Sequence, residues 1–179
     1  LCQEPEIIFG CVDNDSARLI LTELASAYNK ILIDCGTEII NNREFQEFGG
    51  RVIVARPGDY CLLCAGQIDL EAARIELESS RERDYRKENG YGLGPDIASP
   101  SVISLNGVIA GLAVTEFLML VTGLRPPNRR VTYKGMRGVF KESLDEKRKD
   151  CWVCNSIAGK REKADIKRYL RKTLPQDLP

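Results

Sequence analysis

Residues 6–34 read EIIFGCVDNDSARLILTELASAYNKILID. The run EIIFGCV at 6–12 is apolar and short, and it stops at Asp13. The next residues, DNDS, are turn and helix-cap types, because their side-chain oxygens accept from free backbone N–H groups. From 16 to 29 the apolar side chains fall at Ala17, Ile20, Leu21, Leu24 and Tyr28. That spacing puts them on one face of a helix. ILID at 31–34 is a second apolar run. Strand, helix, strand is a βαβ unit, so this stretch predicts an α/β fold with a parallel sheet.

Downstream, Gly49 and Gly50 introduce RVIVARPG, whose alternation of Val52 and Val54 with Arg51 predicts a strand with one wetter face. Pro57-Gly58 then turns the chain into CLLC at 61–64. Residues 67–88 are dense in Glu and Arg and predict a solvated helix. The glycine- and proline-rich stretch 89–100 predicts a loop. Residues 102–122, VISLNGVIAGLAVTEFLMLVT, are long enough to span a bilayer. Glu116, Ser104 and Asn106 interrupt them, which favours a buried core helix. The Gly107/Gly111 spacing in it permits close helix contact, as in an oligomer. Residues 130–141, beginning RVTYKGMRGVF, predict a hairpin, and CWVC follows at 151–154. The tail at Lys160–Lys172 holds seven basic and two acidic residues. It predicts a solvated helix, with an acidic partner's docking surface as the alternative.

Composition narrows the function. The chain has 179 residues, 43% apolar and 29% charged, with 26 basic against 26 acidic side chains. A net charge of zero argues against a nucleic-acid or membrane-surface binder. No histidine is present, so a metal site must use cysteine or carboxylate. Residues 1–6 show no basic region ahead of an apolar run, so a cytoplasmic protein is expected. Seven cysteines in that setting point to metal rather than disulfides.

Two C-x-x-C pairs, Cys61/Cys64 and Cys151/Cys154, are the strongest chemical signal. Each pair offers two thiolates from one tight turn, and two such turns complete a closed tetrahedral Zn²⁺ site. Such a site is structural, having no open position; unrelated buried cysteines or a redox pair are the alternatives. The second signal is Asp13-Asn14. It lies where a strand gives way to a helix, the place where open parallel sheets bind ligands. A carboxylate there can hold Mg²⁺ against phosphate oxygens, or the pair can be a plain helix cap. Cys11 and Cys35 lie in strand-like runs and read as small buried hydrophobes, or less simply as nucleophiles.

In order, these pieces resemble the ThiF, MoeB and HesA family. VDNDSARLILTELASAYNKILIDCG is similar to the family's central segment, with a DN signature closing a strand and an arginine shortly after. GGRVIVARPGDYCLLC resembles its next strand and first zinc knuckle. PSVISLNGVIAGLAVTEFLMLVTG resembles the long helix after its crossover loop, and CWVC falls at the second knuckle. The wording is most similar to bacterial ThiF-type adenylyltransferases joined to, or encoded beside, ubiquitin-conjugation or deubiquitinase-like domains.

The resemblance implies a Rossmann-like fold. Residues 1–179 would be the C-terminal half of an adenylation domain, with a crossover region at about 65–100 and a basic tail at 156–179. It implies an enzyme that uses ATP and Mg²⁺ to adenylate the C-terminal carboxylate of a ubiquitin-like or sulfur-carrier protein, and a homodimer. Asp13 matches the Mg²⁺-associated aspartate, Asn14 the nucleotide-contacting asparagine, and Arg18 an arginine shared by many members. Cys61, Cys64, Cys151 and Cys154 match the zinc ligands. Two departures stand out. No G-x-G-x-x-G or G-x-x-x-x-G-K-[ST] occurs, so residues 1–179 alone are expected to be inactive. Residues 65–150 contain no cysteine, which favours adenylation without a thioester. The alternatives are a non-enzymatic zinc-stabilised binding or dimerisation module, and a subunit that completes its site with a partner supplying the ATP loop.

Overall fold

Segment 6–34 folds as strand, helix, strand: β1 (Ile7–Gly10), α1 (Asp15–Ala27) and the start of β2 (Ile31–Asn41). The computed structural model describes residues 5–41, 46–79, 82, 85 and 102–173. β1 and β2 pair in parallel, with Ile7 opposite Ile31 and Gly10 opposite Asp34. β3 (Gln46–Ala55), β4 (Arg130–Lys134) and β5 (Val139–Ser143) complete one sheet in sequence order. The β2–β3, β3–β4 and β4–β5 pairs are all antiparallel. The all-parallel sheet expected from the βαβ unit is therefore corrected to a mixed one. The reason is connection length: only residues 42–45 separate β2 from β3, and a parallel return needs a crossover of about a dozen residues. β2 also runs seven residues past ILID, because it pairs with β3 along its whole length.

Helices cover both faces of the sheet. On one face, α1 and the short α2 (Leu70–Glu76) pack with Leu32, Ile53, Ala55 and the cysteine-bearing turns. On the other, α3 (Ile103–Thr122) packs on Ile33, Val52 and Val54. α3 ends in a left-handed Gly123 (φ 69°), which an L side chain rarely adopts. Only Leu105, Ile109, Ala113 and Glu116 of α3 are buried, spaced as one helical stripe. Ile103 is 88% exposed, and Val114, Leu118 and Val121 are exposed as well. The expectation of a buried core helix is thus corrected: one stripe docks on the sheet and the remaining apolar surface faces outward. Gly107 and Gly111 lie on that outward surface, where an added Cβ would meet no atom within 4 Å.

The helix is long and apolar enough by composition to cross a membrane, yet its carboxylate is committed to the fold. Glu116 is 1% exposed. It takes a two-pronged grip from Arg125 (Nη2–Oε1 2.7 Å, Nη1–Oε2 3.0 Å) and the backbone N–H of Asn128 (2.8 Å). The pair closes the turn after α3 and satisfies a charge that burial alone would penalise.

The tail also differs from the solvated helix expected. It forms a short 3-10 turn (Arg161–Ala164) and α4 (Arg168–Thr173), and Tyr169 packs into the core. Its anchor is Glu23, fully buried on α1, which accepts from the Tyr169 hydroxyl (2.6 Å) and pairs with Arg168. The predicted solvated helix at 67–88 is helical at α2 and described only in part beyond Ser79. The loop at 89–100 lies outside the described residues, as does most of the second half of the crossover region.

Candidate metal centre and strand-end site

The first cysteine pair sits where β3 leaves the sheet. Arg56 and Tyr60 bridge the turn by backbone bonds of 2.8 and 3.1 Å, and Ala65 N donates to Cys61 O (3.0 Å). The second pair opens a π-helical turn (Val153–Ile157), with Asn155 N donating to Cys151 O (3.0 Å). The fold brings the pairs together. Sγ separations are 3.8 Å for Cys61–Cys64, 3.5 Å for Cys61–Cys151 and 3.8 Å for Cys64–Cys154. All four sulfurs lie within 4.8 Å of one another. A tetrahedron with Zn–S bonds of about 2.3 Å has edges of about 3.8 Å, so these four cysteines could hold one metal ion. No disulfide forms among the described cysteines.

Before a cation joins them, the sulfurs differ in how readily they ionise. A hydrogen bond that the Cys61 thiol donates to Cys154, and burial, push that thiol up. Burial pushes Cys151 up to about 11. Burial opposes ionisation of Cys64 too, but the Arg148 backbone N–H donating to its sulfur (3.4 Å) helps hold it below the usual range. The segment leading to Cys151 is tied back to the first turn. The Tyr60 hydroxyl donates to Asp145 (2.6 Å), Arg130 pairs with Asp145 (2.9 Å) and Arg129 with Asp59 (2.9 Å).

Asp13 and Asn14 lie just past the carboxyl end of β1. Asn14 is the N-cap of α1: its Oδ1 accepts from Ala17 N (2.8 Å) and Ser16 Oγ (3.1 Å). Ser16 N donates to Glu76 of α2 (2.7 Å). Asp13 is exposed, and its carboxylate pairs with no cation among the described residues. Arg18, one turn into α1, donates to Val12 O (2.9 Å), which fixes the loop that carries Asp13.

Sequence reasoning missed what Arg18 faces. Asp34, 1% exposed, lies between two arginines: Arg51 Nη2 at 3.3 Å and Arg18 Nε at 3.8 Å from its Oδ2. Burial raises the Asp34 carboxyl to about 6, against the pull of Arg51 and Arg18. The Asp34 Oδ1, Arg18 Nε and Arg51 Nε atoms are buried without a hydrogen-bond partner. One signal was available in the sequence: a lone carboxylate inside the apolar run ILID. Cys11 and Cys35 follow Gly10 and Asp34, the last registered pair. Cys35 is half-buried, and burial, then Cys11, pushes its thiol up to about 12. Cys11 is exposed, past the end of β1, which corrects its reading as a buried hydrophobe.

Among solved structures, the chain is similar to MccB of E. coli bound to MccA-N7isoASN (TM-score 0.54, 15% identity, 84% of this chain and 41% of that one). It is likewise similar to MccB with MccA (TM-score 0.55, 16% identity, 84% and 40%), and to MccB with AMPCPP and MccA (TM-score 0.51, 14% identity, 84% and 39%). The chain spans about two fifths of those chains. No curated protein sequence matches it. The ThiF family model matches residues 1–153 of the 179, and the chain belongs to the ThiF family.

Proposed function

We propose that this chain is the carboxyl-terminal, Rossmann-like half of an adenylation domain, acting on the C-terminal carboxylate of a ubiquitin-like or sulfur-carrier protein. The observation that carries the reading is Asp13, exposed and without a cationic partner among the described residues, beyond the carboxyl end of a strand in a parallel pair, where α/β sheets bind ligands. Family membership supports adenylation. The MccB structures, which hold the peptide MccA and in one case AMPCPP, support a polypeptide substrate and ATP. In the step itself, a carboxylate oxygen bonds to the α-phosphorus of ATP, the bond to the β-phosphate bridge breaks, and pyrophosphate leaves with the electron pair.

Asp13 offers the hard oxygen donor that Mg²⁺ requires, and Mg²⁺ there supplies charge neutralisation at the phosphates. Asn14 caps α1 through its oxygen and turns its Nδ2 toward Asp13 Oδ1 (3.5 Å), so it would meet the nucleotide beside the Asp13 carboxylate. Arg18 holds the Asp13 loop in place through Val12. The four cysteines hold structural Zn²⁺. The outward apolar face of α3, with Gly107 and Gly111, supports a homodimer, and the same face favours a second reading in which the module only dimerises or binds. A cytoplasmic location accords with reduced cysteines. The test is ATP–pyrophosphate exchange by the full-length protein with candidate carriers. Exchange that depends on a carrier's free C-terminus supports the enzyme; none with any carrier, alongside carrier binding, supports the module.

A further inference from the structure

We propose that the groove between α1 and the tail is a docking site for an acidic amphipathic helix of a partner polypeptide. The site stands apart from the adenylation reading. The ThiF family model stops at residue 153, so the tail that forms one wall lies beyond the matched segment.

The groove has a volume of about 370 Å³. Its α1 wall carries Ile20, Leu24 and Tyr28, four residues apart along one helical face, and its tail wall includes Ile166 and Leu170. The three α1 side chains are half-buried, and Leu170 is 58% exposed. Fixed contacts set the distance between the walls. The Tyr169 hydroxyl donates to the buried Glu23 of α1 (2.6 Å), and Arg168 pairs with the same carboxylate. The Tyr28 hydroxyl donates to Glu162 across the groove (3.5 Å). A recess held in this way exists before anything enters it, which lowers the ordering cost of binding.

Three observations decide the occupant. The first is charge. Lys160, Arg161, Lys163 and Lys167 are exposed, and none of them forms an ion pair among the described residues. Arg161 and Lys167 line the groove, as do Glu162 and Asp165. Arg168 is already matched by Glu23, so four cations stand against two carboxylates in this stretch, and Arg171 and Lys172 follow in sequence. On a chain of zero net charge, this is a local excess of one sign, and an acidic partner complements it. The second is length. From Ile20 to Tyr28 the helix advances about 12 Å. Two turns of a partner helix cover that distance and present residues at i, i+4 and i+7 to it. The third is shape. The apolar side chains lie in a recess between two walls, whereas insertion into a lipid surface needs an apolar face that protrudes.

The groove flanks the C-terminal half of α1, and Asp13 lies just before the other end of that helix. A partner seated in the groove is therefore held without entering the strand-end site.

The experiment uses the full-length protein and a labelled five-turn helical peptide, followed by fluorescence anisotropy. The peptide carries leucine along one face and glutamate or alanine elsewhere. One control replaces its glutamates by lysine, the other its leucines by glutamine. Wild type is expected to bind the acidic leucine peptide about tenfold more tightly than either control, or better. Leu170→Glu, and separately the pair Arg161→Gln and Lys167→Gln, should each weaken that binding about tenfold and leave the melting temperature unchanged. Equal binding of the acidic and lysine peptides overturns the proposal, as does equal binding with and without leucine, or no binding at all. So does a folded Leu170→Glu protein that binds as wild type does. The peptide comparison on wild type decides the matter even if a variant fails to fold. Three other outcomes also overturn it. Binding to phosphatidylserine vesicles and not to the peptide would make the groove a lipid site. Peptide binding that appears only after deletion of residues 174–179 would make it a seat for the chain's own segment. Self-association abolished by Leu170→Glu, with no peptide binding, would make it a contact with a second copy.

Discussion

The sulfurs of Cys61 and Cys151 lie 3.5 Å apart although 90 residues separate them in sequence. No local structure could bring them so close, so the two knuckles clip distant parts of the chain together. We expect one zinc per chain. Metal analysis of purified, unchelated protein should find it, and Cys61→Ser or Cys151→Ser should lower the melting temperature strongly, since metal binding and folding are linked. A folded protein with almost no metal would refute the assignment.

Residues 1–179 contain no phosphate-cradling glycine loop. The expected outcome is that this stretch, expressed alone, does not exchange pyrophosphate into ATP. Robust exchange would place the nucleotide site within these residues.

Asp13 separates two roles by which observable moves. If it neutralises charge at the phosphates, Asp13→Ala in the full-length protein should slow adenylation about a hundred- to a thousandfold, roughly 2.7–4 kcal/mol. Because Asn14, not Asp13, accepts from Ala17 N, the same substitution should leave the melting temperature nearly unchanged. Near-normal adenylation with a lowered melting point would retire the metal role.

Asp34 makes a prediction about pH. Its carboxyl is raised from 3.8 to about 6 in the fold. Between those values the folded state keeps a proton that the unfolded chain has lost. Stability therefore falls as pH rises from about 4 to about 6, and the cost stays constant above that. Its size is on the order of 3 kcal/mol, at 1.36 kcal/mol per unit. Urea unfolding of wild type and Asp34→Asn at pH 4, 5, 6 and 7 should show the variant gaining relative stability across that window. A difference that does not change with pH would contradict the burial of an ionised Asp34.

Glu116 and Arg125 test the docking of α3. Glu116 is buried but the Arg125 side chain is 39% exposed, so water can take up the freed guanidinium and the main loss is the hydrogen bonds to the carboxylate. Glu116→Ala should therefore lower stability by about 1–3 kcal/mol, read by chemical denaturation. A loss below 1 kcal/mol would mean that the turn at 123–128 holds without this latch.

What could be read from sequence was local. β1, α1 and the start of β2 were legible because apolar spacing encodes a strand or a helix within a few turns. The two C-x-x-C pairs were legible because ligand spacing is itself local. The direction of β3 was not, since it depends on how short the 42–45 connection is rather than on any side chain. The exposure of α3 was not, because composition gives how apolar a helix is and not which side is covered. The Asp34–Arg51 pair joins residues 17 apart across two strands, and Glu23–Tyr169 joins residues 146 apart. In both cases a carboxylate in an apolar setting was the visible half; its partner became visible only with the tertiary fold.

The order of the cysteines has a consequence for biosynthesis. Cys61 and Cys64 leave the ribosome well before Cys151 and Cys154. At about 5–20 residues per second, roughly 5–20 seconds pass before the second pair is made. During that interval the nascent chain carries an unfinished pair of reactive thiols, open to oxidation or to capture by a wrong metal. The segment of chain that closes the cluster is thus also its last safeguard, and a pause in translation between the two pairs would lengthen the exposure in direct proportion.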